Sequence, residues 1–353
     1  MNNRVFAHWK TFRPLPTKLM VIGVSPFAVD RFRSPSGLPV SSWVYPQNRE
    51  EGFYDYRIAG MQLEFFENLI APFPYAKLAN VQSKTIYGGM ENAGCIFYRE
   101  GSVTGRRENR SLFAHEIAHQ WFGDAVTEEN WHHIWLSEGF ATYLEELYLE
   151  HSRGKEAFVE SFQRERSRVI RYAYKRLAPV VDTTLEVSVE LLSPNSYQKG
   201  AWVLHMLRHE LGDSLFRESL RRYYRKHSHR NALTEDFIQS VNETAGRDLH
   251  PFFRQWLYEP GHPVLSAQWH SGSGGTILVI EQKQQAPAPL FEFPLEFEWN
   301  LSDGTSFRKI VRITRRQHRF NFNTPSRPLS ISLDPGCKLL FEPYNGSIPQ
   351  GTP

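Results

Sequence analysis

Two histidines four residues apart, His115 and His119, with Glu116 beside the first, form the strongest chemical pattern in this chain. On a helix, positions i and i+4 share one side about one turn apart, so both imidazoles reach a single metal ion. A glutamate at the intervening position approaches water on that metal. With 14 His and 38 Asp plus Glu among 353 residues, roughly 0.06 such matches arise by chance. A metal also needs a third ligand. Eighteen residues separate His119 from Glu138, and requiring an acid at that one spacing lowers the chance expectation to roughly 0.006. Glu138 opens the next predicted helix, which can run antiparallel to the first and point back at the same ion. The competing reading is a helix with a solvated glutamate and two surface histidines.

These residues need a frame. Apolar residues at helical spacing run from Tyr54 to Leu69 (Ile58, Met61, Phe65, Phe66, Leu69), closed by Ala71-Pro72-Phe73-Pro74. Further helices are predicted over Leu112–Gly123, Trp135–His151, Lys155–Tyr174, Tyr197–Leu211, Leu215–His227 and Thr234–Gly246. Ser137 and Thr234 read as capping oxygens with an early acid behind them, and Gly212 and Gly246 as helix stops. Lys18–Val24 reads as a buried strand, and Leu78–Ile86 as a short strand leading into Tyr87-Gly88-Gly89-Met90-Glu91-Asn92. After Pro260-Gly261-His262-Pro263 the pattern turns to strands: Val264–His270, Thr276–Gln282, Phe291–Asn300, Phe307–Ile313, Arg319–Asn323 and Leu329–Leu333. Leu295 to Trp299 alternates with period two, as a half-buried strand does.

His-Glu-Ile-Ala-His, eighteen residues and Glu138 resemble the pattern of the gluzincin metallopeptidases. Two further segments narrow the resemblance. Gly88-Gly89-Met90-Glu91-Asn92 is similar to the exopeptidase signature of the M1 aminopeptidases, and Ser196-Tyr197-Gln198-Lys199-Gly200-Ala201 to the segment that carries their catalytic tyrosine. Agreement continues through Trp121-Phe122-Gly123-Asp124, Trp135 to Ala141, Asp248-Leu249 to Phe253, Gln255-Trp256 and Pro260 to Pro263, covering roughly residues 15–263.

The resemblance implies an α+β protein: a thermolysin-like, mainly helical zinc-peptidase catalytic domain followed by a small β-sandwich. It places a remnant of the N-terminal β domain over residues 1–45, the catalytic domain over 46–262, the β-sandwich over 263–344 and a tail over 345–353. Most of the saddle-shaped first domain of the family and its C-terminal helical domain are expected to be missing. One zinc ion is implied on His115, His119 and Glu138, with Glu116 as base and Tyr197 as oxyanion donor. Glu91, with Gly88, Gly89 and Met90 around it, is implied to bind the free α-ammonium of a peptide substrate. Two other functions stay open: a non-catalytic or weakly active peptide-binding remnant, and a bifunctional enzyme like the leukotriene epoxide hydrolases. Glu145, seven residues after Glu138, reads either as an acceptor for a metal-bound histidine or as a surface residue.

Composition narrows the field further. Hydrophobic residues make up 41% and charged residues 22%, so global disorder is excluded. A net charge of +3 is too small to argue for nucleic acid. The basic run Arg217, Arg221, Arg222, Arg225, Lys226, His227, His229 and Arg230 reads as a solvated helix face. No apolar run is long enough to cross a bilayer, and no signal peptide is visible at the start. Asn109, Asn242, Asn300 and Asn345 are glycosylation acceptors only in a secretory route. Cys95 and Cys337 read as two free buried thiols, with one bridge between them as the alternative.

Overall fold

The computed structural model describes residues 8, 10–186, 188–272 and 275–344. The tail predicted over 345–353 and the acceptor Asn345 lie outside them. In chain order the helices are α1 (Arg49–Tyr56), α2 (Ala59–Leu69), α3 (Arg110–Ala118), α4 (Trp135–Arg153), α5 (Lys155–Ala173), α6 (Ser188–Leu191), α7 (Gly200–Leu211), α8 (Asp213–His227), α9 (Thr234–Ala245) and α10 (His250–Phe253). The chain forms two compact units: one runs to Glu129 and includes Arg221–Leu233, the other comprises Asn130–Leu220 and everything from Thr234 on. Helices and strands are thus both well represented.

The first unit is built on a five-stranded sheet: β1 (Ala28–Arg33), β2 (Pro39–Val44), β3 (Leu78–Ser83), β4 (Gly89–Met90) and β5 (Cys95–Arg99), in the order β1-β2-β3-β5-β4. β3 sits centrally, parallel to both β2 and β5, and its first five residues are buried, as expected for a strand covered on both faces. β4 is the edge, antiparallel to β5, with Met90 opposite Phe97. Tyr56, Tyr98 and Phe113 join α1, β5 and α3 through ring centroids 5.0 to 5.4 Å apart. The buried Asp55 carboxylate accepts the backbone N–H groups of Thr104, Gly105 and Arg107 at 2.6, 2.9 and 2.7 Å, which orders the turn leading into α3. A two-strand parallel pair, β6 (Val126–Glu128) with β7 (Arg230–Ala232), completes the unit.

Three expectations for this unit are corrected. Lys18–Val24 is not a strand: Thr17–Leu19 forms a 3-10 turn, and Met20, Ile22 and Val24 are exposed. An apolar run becomes a strand only where a neighbour takes its backbone groups; here Leu19 alone is buried. The helical stretch Tyr54–Leu69 is two helices, re-aimed at Arg57 and Ile58 beside the buried Asp55. The helix over Leu112–Gly123 stops at Ala118. Beyond it, Asp124, Ala125 and Val126 donate to the carbonyls of His119, Gln120 and Trp121 at 3.0, 3.3 and 3.0 Å, a wide winding that Gly123 closes at φ +125°.

In the second unit α4 and α5 are joined at Gly154, whose φ of +89° favours glycine. Ser137 does not cap α4; it lies inside the helix, and Asn130 instead caps the preceding turn by accepting from the His132 N–H at 3.1 Å. Thr234 opens α9, but its hydroxyl accepts from the Trp135 indole at 2.8 Å. Tyr197 was expected within α7; it occupies a π-helical turn, Asn195–Lys199, before it.

The six strands predicted after Pro263 appear close to where the pattern placed them, and a short seventh at Glu342–Pro343 was not predicted. β8 (Val264–Gly272), β9 (Gly275–Gln282), β12 (Gln317–Phe322) and β14 (Glu342–Pro343) make one sheet, ordered β12-β9-β8-β14, and β10 (Phe293–Leu301), β11 (Ser306–Ile313) and β13 (Pro328–Leu333) another, ordered β11-β10-β13. Phe297 and Trp299 on β10 meet Phe322 on β12, each with centroids 5.3 Å apart. Arg166 on α5 ties the strands to the helices: it pairs with Asp334 at 2.7 Å, donates to the Leu339 carbonyl at 2.8 Å and lies over the Trp202 and Phe341 rings.

Both cysteines are free thiols; Cys337 is buried and Cys95 only partly so. Among the described residues no helix is long and apolar enough to cross a membrane.

Candidate metal centre and substrate edge

α3 turns His115 and His119 toward one point. Their Nε2 atoms lie 3.1 Å apart, with the rings nearly perpendicular at 82°. Two nitrogens about 2.0–2.1 Å from a tetrahedral zinc are separated by roughly 3.3 Å, so this pair is spaced as a shared ion requires. His119 Nδ1 faces the Phe122 carbonyl at 3.2 Å, which selects the tautomer with the proton on Nδ1 and the lone pair on Nε2, the atom that faces His115. The wide winding after Ala118 presents that carbonyl. Glu138 lies buried in the first turn of α4. Ligand atoms of His115, His119 and Glu138 all fall within 4.8 Å of one another. Two imidazoles and a carboxylate form a donor set that suits zinc.

Glu116 is buried on the same helix and lies against the edge strand: a methyl carbon placed on Gly89 would be 2.4 Å from the Glu116 carboxyl carbon. Gly88 lies over Leu112 in the same way, at 3.4 Å. Gly88, Gly89, Met90 and Glu91 therefore run along α3. Burial, and then the charge of Glu116, push the Tyr98 hydroxyl well above its ordinary pKa. Burial and then the Glu91 charge also push the Asp124 carboxyl well up. Lys18 pairs with Glu128; burial opposes its charge, but Glu128, Glu91 and Asp124 hold the ammonium above its usual range.

Tyr197 is half-buried, and its turn is fastened on all sides. Asn195 donates to the Ala178 and Pro179 carbonyls at 2.9 and 3.1 Å, and the Ser196 hydroxyl to the Leu191 carbonyl at 2.5 Å. Lys199 points inward at the Glu259 carbonyl, and burial pushes its pKa down to about 7. π-helical turns of this kind recur at functional sites. Glu145 is half-buried on α4.

One residue beside this centre was missed by sequence reasoning. Gln120, directly after His119, is completely buried, and both ends of its amide bond the backbone near Glu91. A glutamine adjoining a candidate ligand histidine on an apolar turn was the only available signal.

The sequence pattern described as "Peptidase family M1 domain" matches residues 54–256. "Aminopeptidase N" of Lactococcus lactis subsp. lactis is 29% identical over 332 residues, covering 85% of this chain and 38% of the relative. "Aminopeptidase M1" of Arabidopsis thaliana is 29% identical over 285 residues, covering 76% of this chain and 32% of the relative. The crystal structure of Legionella pneumophila aminopeptidase A in complex with aspartic acid superposes with a TM-score of 0.75 over 90% of this chain and 38% of that one, at 20% identity, a likeness of fold. The chain thus spans well under half the length of these relatives.

Proposed function

The chain belongs to peptidase family M1, and from that premise we propose that it is a zinc aminopeptidase that removes the first residue of peptides with a free N-terminus. The observation that carries this reading is the convergence of His115, His119 and Glu138, with Glu116 beside the histidines on the same helix. In fold terms the reading is a thermolysin-like catalytic domain over residues 46–262, whose sheet β1 and β2 extend, with a β-sandwich over 263–344.

Zinc, when bound, supplies a Lewis acid that polarises the scissile carbonyl and makes water a nucleophile near neutral pH. His115, His119 and Glu138 hold it. Glu116 takes the proton from the attacking water and delivers one to the leaving amine. Tyr197 donates a hydrogen bond to the oxygen on which negative charge develops, a contact stronger in the transition state than in the ground state. Glu91, following the edge strand, pairs with the substrate ammonium, while Gly88, Gly89 and Met90 offer an extended backbone beside it.

The test is hydrolysis of a panel of amino-acid arylamides and their N-acetylated twins, with and without a chelator. Cleavage of the free-amine forms, abolished by chelation and restored by zinc, is the expected result. Equal cleavage of acetylated peptides, or cuts at internal bonds only, would reassign the protein as an endopeptidase.

A further inference from the structure

Leu112, Glu116 and Gln120 follow one another at intervals of four and meet successive points of the substrate edge. Leu112 lies under Gly88, Glu116 under Gly89, and Gln120 bonds Glu91 and Gly94. The last contact differs in kind from the other two. The Gln120 Oε1 accepts the Gly94 N–H at 2.7 Å, and its Nε2 donates to the Glu91 carbonyl at 2.8 Å. Only one orientation of the amide does this, because a flip would set NH₂ against N–H and oxygen against oxygen.

The rest of the turn is fastened to the sheet. Gly94 sits at φ +63°, its carbonyl accepting from Ala79 N–H at 3.0 Å and from the Lys77 ammonium at 2.5 Å. Cys95 N–H donates to the Asn92 carbonyl at 2.8 Å. Before Glu91, β4 is only two residues long and forms the sheet's edge. Glu91 is thus joined to the metal-binding segment through the side chain that directly follows His119.

We infer that Gln120 is a positioning residue that sets the distance between the bound N-terminal ammonium and the metal, by stapling the backbone of Glu91 to the end of the histidine helix. Cleavage one residue from the end requires that spacing to be held closely, since the same bound ammonium presents a different bond if Glu91 moves along the edge. The inference rests on the aminopeptidase reading, in which Glu91 takes the ammonium.

The experiment is a double-mutant cycle in the full chain loaded with zinc. Gln120→Leu removes both bonds; Gln120→Glu keeps an acceptor for Gly94 but sets a carboxylate against the Glu91 carbonyl, and serves if the leucine variant does not fold. On an amino-acid arylamide, either change should lower kcat/KM about 10- to 100-fold with zinc content intact. In a Glu91→Ala background the same change should cost about twofold or less, because the backbone bond remains but the carboxylate it positions is already gone. Equal losses in both backgrounds would make Gln120 merely structural and overturn the inference, as would wild-type activity in the single variants. Hydrogen exchange at the Gly94 amide of the metal-free chain gives a readout without catalysis: Gln120→Leu should accelerate it, and unchanged protection would refute the staple. If Glu91→Ala itself leaves turnover and discrimination against acetylated substrate untouched, the aminopeptidase reading fails and there is no register for Gln120 to set. Loss in Glu91→Ala with none in the Gln120 variants sinks this inference alone.

Discussion

Gly139 on α4 and Gly200 at the start of α7 cross backbone against backbone: a methyl carbon on either would lie 3.0 Å from the Cα of the other. The methyl carbon on Gly139 would also lie 3.0 Å from the Ser196 carbonyl oxygen. Glu138 and Tyr197 flank this crossing, so two bare backbones bring the α4 carboxylate and the tyrosine turn together. No flexible side-chain end could move aside to admit a larger residue.

Gly139→Ala should therefore force α4 away from the π-helical turn. Overpacking of this kind costs about 1–3 kcal/mol, which a urea titration would read as a lower midpoint at unchanged slope. A midpoint equal to wild type would mean that the helices part without strain.

His119→Ala should release the metal, since two remaining ligands rarely retain zinc. Elemental analysis after gel filtration checks it. Full zinc occupancy in the variant would remove His119 from the ligand set.

Glu116→Gln keeps the shape against Gly89 but cannot accept the proton from water. Zinc content should stay at the wild-type level while turnover falls by about 10²- to 10⁴-fold. A variant as fast as wild type would assign the base elsewhere.

Tyr197→Phe should lower kcat by about 10²- to 10³-fold, as loss of one oxyanion donor does, with KM little changed. A change confined to KM would instead make Tyr197 a substrate-positioning group.

His205 predicts a pH dependence of stability. Burial, and then the nearby His209, hold its pKa well below the ordinary value, and the neutral ring bonds the Tyr143 hydroxyl at 3.1 Å and the Cys337 carbonyl at 2.9 Å. Unfolded, the same imidazole takes a proton near pH 6.5. Below about pH 6.5 the unfolded chain thus binds more protons, so the stability held by neutral His205 is complete above that pH and is lost as pH falls. His205→Phe should flatten the decline in urea midpoint between about pH 8 and pH 5.5, and cost about 1 kcal/mol at the higher pH for each lost hydrogen bond. An unchanged slope would show that other groups carry the acid sensitivity.

What the sequence determined by itself was periodic or chemically rare. The four-residue spacing of His115 and His119 sets two imidazoles on one helix side in any fold that keeps the helix. Alternation from Leu295 to Trp299 marks a strand whatever it pairs with. Local rules misplaced the ends and breaks. Lys18–Val24 has the composition of a strand but joins no sheet among the described residues, and α3 stops at Ala118 because the next carbonyls are taken by N–H groups five residues on. Contacts between segments distant in sequence were decided only by the tertiary structure. Gln120 is an ordinary polar residue until Glu91 and Gly94, 29 and 26 positions away, arrive at its amide. Gly139 and Gly200 are two among 23 glycines until their backbones cross. A spacing along one helix is fixed by backbone geometry, whereas the distance between two segments depends on every turn and core residue between them.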